Sequence, residues 1–233
     1  MKKIAINICL CCSFFQLIGC AHTPYSKKTD SKDLLSSACS IGQATKTVKG
    51  SVWLKAKSQE MSGQFPAFVL AQEPSTLKLE ITNLVGGAEA LISIQDGKYT
   101  VEVPDKKKKV ETGYGYWGGI PLKWGTELFL GRIPCPTATE ISDASVSVNP
   151  EGELIVETLR SVRGDRELFR YRFREWNGGA WPEYLYWERK GNFKTSVNFR
   201  FDSPADNTGS PKKWEATSAL GQVKVRWRER TIE

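Results

Sequence analysis

Apolar and polar residues alternate with a period of two through most of the chain from Val48 onward. Val52, Leu54 and Ala56, for example, are spaced by two, and so are Leu77 and the apolar residues that follow it. A period of two places successive side chains on opposite faces of a strand, so each such run predicts a strand with one buried face. We count about ten of these runs, joined by short turns rich in glycine, asparagine and proline.

Two short segments have the spacing of helices instead. Between residues 30 and 44 apolar residues recur every three or four positions, with Ser31 and Asp33 as start signals. A second helix is predicted between Pro121 and Gly131. No long helices alternate with the strands, which argues against a parallel sheet and favours an antiparallel sheet curled toward a barrel, with the helices over its open mouth or face. The second helix would turn four apolar side chains toward the sheet: Leu122, Trp124, Leu128 and Phe129.

The first twenty residues have the pattern of an export signal. Lys2 and Lys3 precede an apolar run that ends in Leu17-Ile18-Gly19-Cys20, which matches the bacterial lipobox. We therefore predict a lipoprotein signal peptide over residues 1–19, lipidation of Cys20 and a flexible tether over residues 20–30. The alternative is an ordinary signal peptide. Ala21 resembles the residue that lets lipoproteins leave the inner membrane, so we expect a lipid anchor in the outer membrane, facing the periplasm.

Six cysteines occur in the chain, and three of them fall inside the predicted signal peptide. With Cys20 occupied by lipid, Cys39 and Cys135 are left as a candidate pair. An oxidising periplasm permits a disulfide between them, and two separate buried thiols are the alternative.

The formal net charge of +7 is modest and spread along the chain. Its densest run, residues 106–109, predicts a solvated hairpin turn, with contact to anionic lipid head groups as the alternative. Export argues against nucleic acid as a partner. We expect a monomer.

Catalytic patterns are scarce. The single histidine, His22, lies in the predicted tether, so the folded body offers no histidine for a catalytic triad, a zinc site or a general base. No phosphate-binding glycine loop and no Cys-x-x-Cys pair occur in the mature chain. We expect no enzymatic activity, no cofactor and no metal; a glycosidase with paired carboxylates is the remaining enzyme alternative.

Three segments in order resemble the LolB-like outer-membrane lipoprotein receptors of the lipoprotein-localisation pathway, which share the LolA/LolB fold. They are residues 49–52, residues 79–91 and residues 120–134, the last with a Pro-Leu start and a Leu-Gly end. The resemblance implies a mainly β (α+β) fold: a half-open antiparallel β-barrel of ten to eleven strands with a short helical lid, formed by residues 31–233. It also implies an apolar cavity for the acyl chains of other lipoproteins and a LolA-like periplasmic carrier as partner.

In that family a protruding loop carries an exposed leucine that passes cargo to the membrane. The matching tip here is Leu84-Val85, where Val85 aligns with the leucine and Leu84 stands at a position that is commonly proline. The alternative is that both side chains fold back into the core. The strand residues whose side chains point inward would line the cavity. The alternative is that these side chains pack against one another and leave no cavity. They are Phe65, Phe68, Leu77, Leu79, Ile81, Ile92, Ile94, Val101, Tyr171, Phe173, Phe199 and Phe201.

The sequence thus predicts a non-enzymatic outer-membrane lipoprotein that accepts lipoproteins from a periplasmic carrier and inserts them into the outer membrane. The alternative is an envelope lipoprotein of the same fold that binds a lipid or glycolipid and has a structural or assembly role.

Overall fold

The computed structural model describes residue 25 and residues 29–58, 62–104, 109–160, 165–191, 194–204 and 209–233. The predicted signal peptide, Cys20 and most of the predicted tether lie outside these residues, as do three of the four lysines at 106–109. Within the described residues, three helices and fifteen strands form. The helices are α1 (Ser31–Ser40), α2 (Leu122–Phe129) and α3 (Ala138–Ser142). The strands are β1 (Thr47–Ser58), β2 (Ser62–Gln72), β3 (Thr76–Thr82), β4 (Ala88–Gln95), β5 (Lys98–Val103), β6 (Lys109–Tyr114), β7 (Tyr116–Trp117), β8 (Ile120–Pro121), β9 (Ser145–Val148), β10 (Leu154–Arg160), β11 (Asp165–Trp176), β12 (Gly179–Lys190), β13 (Thr195–Phe201), β14 (Lys213–Ser218) and β15 (Gly221–Ile232).

Thirteen strands form one antiparallel sheet in the order β6-β5-β4-β3-β2-β1-β15-β14-β13-β12-β11-β10-β9. Apart from the β1–β15 pairing, neighbours in the sheet are neighbours in sequence, as expected for strands joined by hairpins. Strands β6 and β9 are its two edges, so the sheet is not closed. The short pair β7–β8 forms a separate hairpin.

The antiparallel architecture is confirmed, but the predicted number of ten to eleven strands was wrong. The additional strands include β6, β9 and β14, whose apolar content is low. The edge strand β9 has the sequence SVSV and buries none of its residues fully. Its neighbour β10 supplies the hydrogen bonds, and its run of alternating serine and valine is only four residues long, which is too short to mark a strand by pattern alone.

Helix α1 begins at Ser31, and its N-cap is Asp30, one residue before the first predicted start signal. The Asp30 carboxylate accepts a hydrogen bond from the Lys32 amide at 2.7 Å and caps the helix. Leu34, Leu35 and Ala38 are buried. Helix α3, which the sequence analysis missed, is a single short stretch held by a capping box.

Helix α2 occupies the predicted position and ends in a Schellman motif. The Arg132 amide donates to the Glu127 carbonyl at 2.9 Å, and the Gly131 amide donates to the Leu128 carbonyl at 3.1 Å. Gly131 has φ +83°, the left-handed conformation that this helix end requires. In the part of the chain that the structure describes, no helix has the length and apolar character needed to cross a bilayer.

Candidate functional site

Helix α2 packs into the concave face of the sheet. The Trp124 ring lies edge-on to Trp187, with 4.7 Å between ring centroids, and 5.9 Å from Phe199. One turn further on, Phe129 lies 5.3 Å from Trp214. All four side chains predicted to face the sheet from this helix are buried: Leu122, Trp124, Leu128 and Phe129. The concave face is therefore filled by α2 in this conformation.

This packing leaves several polar groups without partners. The indole N–H groups of Trp124, Trp214 and Trp227 are buried and find no hydrogen-bond acceptor among the described residues. A buried unpaired donor costs about 1–3 kcal/mol. The interface between α2 and the sheet could therefore gain hydrogen bonds if a ligand with carbonyl oxygens entered it.

Of the twelve residues predicted to line a cavity, eleven face the interior, and Phe68 was wrong. Its side chain lies on the convex face and is 61% exposed. The inward phase of β2 is set by Ala67, Val69 and Ala71, which are buried, so a residue at an even position must point outward. Phe65 and Phe68 are three positions apart and cannot share a face. The acyl-binding role of the other eleven stays a prediction.

A cavity of about 260 Å³ opens beside the N-terminal end of α2, and none of those twelve residues borders it. This volume is below the range of about 300–1,000 Å³ that is usual for ligand pockets. The walls combine apolar and charged groups, and they are Gly97, Gly115, Tyr116, Pro121, Leu122, Lys123, Trp124, Glu167, Trp187 and Arg189.

Charged residues at inward positions hold the mouth of this cavity. The Arg189 guanidinium donates to the Asp165 carboxylate and to the Tyr116 hydroxyl. The hydrogen bonds that Arg189 donates to the Asp165 carboxylate are the main reason why the pKa of Arg189 is raised above its ordinary value. The buried Glu167 carboxylate accepts the Trp187 indole N–H at 3.3 Å. Sequence reasoning missed this cluster, although charges in the inward phase of β11 and β12 were a usable signal.

The far end of α2 is fastened by Arg132 and by the disulfide. The Arg132 guanidinium donates to the carbonyls of Thr45 at 2.8 Å and Gly42 at 3.3 Å, and to the Glu73 carboxylate. Three residues later, Cys135 is bonded to Cys39 of α1. Two covalent or polar links therefore tie the segment after α2 to α1 and to the turn between β2 and β3.

Two titratable groups lie between α2 and the sheet. Burial raises the pKa of the Glu127 carboxyl, and the nearby Lys123 and Arg132 oppose that rise. Burial also raises the pKa of Tyr171 well above its ordinary value, and its hydroxyl donates to the Pro134 carbonyl at 2.9 Å. Both groups are therefore kept in their neutral forms to higher pH than usual.

The predicted apolar tip projects into solvent. Leu84 is 80% exposed and Val85 is 92% exposed, at the turn between β3 and β4. The Asn83 side chain fixes this turn: its carbonyl oxygen accepts from the amides of Val85 at 3.1 Å and Gly87 at 2.8 Å. Gly86 has φ +89°, which the turn requires. The tip is an apolar projection on an ordered turn.

The tip and the cavity lie at opposite ends of β4. Gly97, at the cavity, lies two residues after the end of this strand, and Leu84 and Val85 lie in the turn before its first residue. The eight residues of β4 span about 26 Å at 3.3 Å per residue. The tip is therefore not at the mouth of this cavity.

No metal site is apparent: among the residues that the structure describes, no three His, Cys, Asp or Glu side chains are grouped so that they could hold a metal ion.

Comparison with protein-family models finds no match, and comparison with curated proteins finds none either. Three solved structures align with most of the chain. A LolA superfamily protein from Nitrosomonas europaea is 12% identical, with 88% of this chain and 94% of that chain covered and a TM-score of 0.49. A DUF1329 family protein from Desulfovibrio piger is 8% identical, with coverages of 87% and 92% and a TM-score of 0.51. The Mycobacterium tuberculosis lipoprotein LppX is 10% identical, with coverages of 86% and 97% and a TM-score of 0.33. At such low identity, the alignment with the DUF1329 family protein shows that the two chains share a fold, and a LolB-like role for this chain stays a prediction.

Proposed function

We propose that this protein is a lipid-anchored lipoprotein of the outer membrane that accepts the acyl chains of other lipoproteins from a periplasmic carrier and inserts them into the membrane. The observation that carries the proposal is the exposure of Leu84 and Val85 on a turn ordered by Asn83. Two neighbouring apolar side chains fully in water, on a rigid turn, have the form of a membrane-insertion element. The resemblance to LolB-like receptors in residues 79–91 supports the same role.

Acyl uptake requires α2 to move off the concave face. Exposing Trp124, Leu128 and Phe129 to water would cost about 1.5–3 kcal/mol for each side chain. An acyl chain that buries about a dozen methylenes in their place gains about 10 kcal/mol relative to water. The exchange is therefore close to balanced, as a protein that must both accept and release cargo requires.

The disulfide and the Arg132 contacts hold the chain just after α2, so we expect the helix to swing about that end. Its other end is held more lightly, since the β7–β8 hairpin is joined to the sheet by single hydrogen bonds such as that from the Ser218 hydroxyl to the Gly118 carbonyl at 2.7 Å. Opening there would enlarge the existing cavity.

A lipid on Cys20 would keep the body close to the bilayer. Tyr25 is only five residues from Cys20. Its amide donates to the Phe173 carbonyl at 3.4 Å, so this point of the chain is part of the folded body. Five extended residues reach about 17 Å at most.

The test is transfer of a radiolabelled, carrier-bound lipoprotein to liposomes by a chain that begins at Ala21. All the described strands, helices and the disulfide lie within residues 25–233, so this chain keeps them. The Leu84→Glu, Val85→Glu variant should accept cargo and fail to deliver it. The matched control is Val148→Glu, Leu159→Glu, which places the same charges on other exposed apolar residues and should deliver normally. A parent chain that never accepts cargo would refute the proposal.

A second candidate is an envelope protein that binds a single lipid or glycolipid. The observation in its favour is the charged wall of the cavity, formed by Lys123, Glu167 and Arg189, which suits a ligand with a polar head. Solvent extraction of protein purified from membranes, followed by mass spectrometry, distinguishes the two. A single stoichiometric lipid favours this candidate.

A further inference from the structure

Six cationic side chains lie together on the convex face of the sheet, away from α2 and the cavity. They alternate with buried residues on three adjacent strands, so all six point outward. We call this set the basic face. It consists of Lys55 and Lys57 on β1, Lys213 on β14, and Lys224, Arg226 and Arg228 on β15.

Cations of the basic face stand directly opposite one another. Lys55 is the partner of Lys224 across β1 and β15, and Arg226 is the partner of Lys213 across β15 and β14. Like charges at directly opposed positions destabilise a sheet. A fold that keeps two such pairs side by side bears a cost in stability that a bound anionic surface would remove.

Carboxylates neutralise only part of this charge. The Lys224 ammonium lies 2.8 Å from Glu215, and the Lys213 ammonium lies 3.3 Å from Asp202. Within the described residues, the other four members of the basic face form no salt bridge, so four positive charges stay uncompensated. Glu229, the residue of β15 that follows Arg228, carries a negative charge and marks the end of the basic face.

Apolar and aromatic groups accompany these charges. Trp53 lies at the centre of the basic face, with the Arg228 guanidinium 5.5 Å from its ring centroid. Leu220, in the turn between β14 and β15, is 65% exposed. The turn that carries Leu84 follows β3, two strands from β1, at the end of the sheet where Lys55 and Lys57 lie. Tryptophan and exposed leucine beside lysine and arginine suit the interface of a bilayer.

We propose that the basic face, together with Trp53 and Leu220, docks on a bilayer surface that contains anionic phospholipids. The four uncompensated cations contact lipid phosphates, and Leu220 enters the head-group layer next to the Leu84-Val85 tip. Charge complementarity and the two apolar tips at the same end of the sheet select this partner. The inference does not rest on the proposed function, because docking needs neither cargo nor carrier.

The test is cosedimentation of the chain beginning at Ala21 with vesicles, either of phosphatidylcholine alone or mixed with phosphatidylglycerol. We expect binding to the anionic vesicles only, and weaker binding as salt is added. The Lys55→Gln, Lys57→Gln variant should bind about thirtyfold more weakly, at about fivefold for each cation. Its thermal midpoint should equal or exceed that of the parent, because opposition to Lys224 is relieved.

The matched control is Lys78→Gln, Arg166→Gln, which removes two exposed cations from other parts of the convex face. This control should bind as the parent does. Equal binding to both vesicle types, an equal loss in the control, or no binding to anionic vesicles at low salt would each overturn the inference. A chain that binds anionic vesicles but never accepts cargo would refute the proposed function and leave the basic face intact.

Discussion

Removing the disulfide between Cys39 and Cys135 should lower the free energy of unfolding by several kcal/mol. The two cysteines are 96 residues apart in sequence. Closing a loop of that length removes chain entropy from the unfolded state equivalent to about 4.7 kcal/mol at 25 °C, and measured losses on removing native disulfides are about 2–5 kcal/mol. We therefore expect the Cys39→Ala, Cys135→Ala variant to lose about 3–5 kcal/mol.

The assay is unfolding in guanidinium, monitored by tryptophan fluorescence. The free energies of unfolding of the variant and the parent are compared provided that both show the same dependence on denaturant concentration. The reduced parent chain should show the same loss as the double variant, since both lack the same link. The loss should also be accompanied by faster amide exchange in α2, because the disulfide ties the segment after that helix to α1. A loss below about 1 kcal/mol in both the variant and the reduced parent would contradict this reasoning.

Three further predictions concern Arg132, Glu127 and the Leu84-Val85 tip. Arg132→Met leaves the buried Thr45 carbonyl without its donor, while the partly exposed Glu73 carboxylate can be solvated, so it should cost about 1–3 kcal/mol in thermal unfolding and speed amide exchange at the end of α2. Burial raises the pKa of Glu127 above its ordinary value of 4.5, so the folded state keeps a proton that the unfolded chain releases, and stability falls as the pH rises above that value. Glu127→Gln should therefore be more stable than the parent in urea at neutral pH, with the gain vanishing below pH 4.5; a constant gain would be inconsistent with this cause. Leu84→Glu, Val85→Glu should shift the free energy of unfolding by less than about 0.5 kcal/mol, since both side chains are already in water, and a larger loss in a thermal melt would mean that they pack in solution.

Period-two alternation was enough to predict an antiparallel sheet, and the punctuation by Pro121 and Gly131 was enough to predict the position of α2. Pro121 and Gly131 bracket a helix whose apolar residues have one face, and the structure ends it at the predicted glycine. The same signal failed for β9, where serine alternates with valine at an exposed edge. The prediction for Phe68 was wrong because its aromatic character favours burial, whereas its position between the buried Ala67 and Val69 turns its side chain outward.

The candidate site was predictable only where its residues are contiguous in sequence. The Leu84-Val85 tip lies in one short turn and could be proposed from the resemblance of residues 79–91 to LolB-like receptors. The basic face could not, because its cations come from three strands and are separated in sequence by buried residues. What brings Lys55 opposite Lys224 is the pairing of β1 with β15, two strands that are more than 150 residues apart along the chain. The register between two strands so far apart in sequence is fixed by the packing of the whole sheet, and the local sequence of either strand does not specify it.

Photo-crosslinking with an acyl chain tests most directly whether the concave face accepts acyl chains. A lipoprotein acyl chain that carries a diazirine at its terminal methyl would be bound, irradiated, and the labelled residues identified by mass spectrometry. We expect labels on inward residues that α2 now covers, among them Trp187, Phe199 and Trp214, and their loss when unlabelled acyl chains compete. Labels confined to the convex face, at Phe68 for example, would contradict the claim that α2 gives way to cargo.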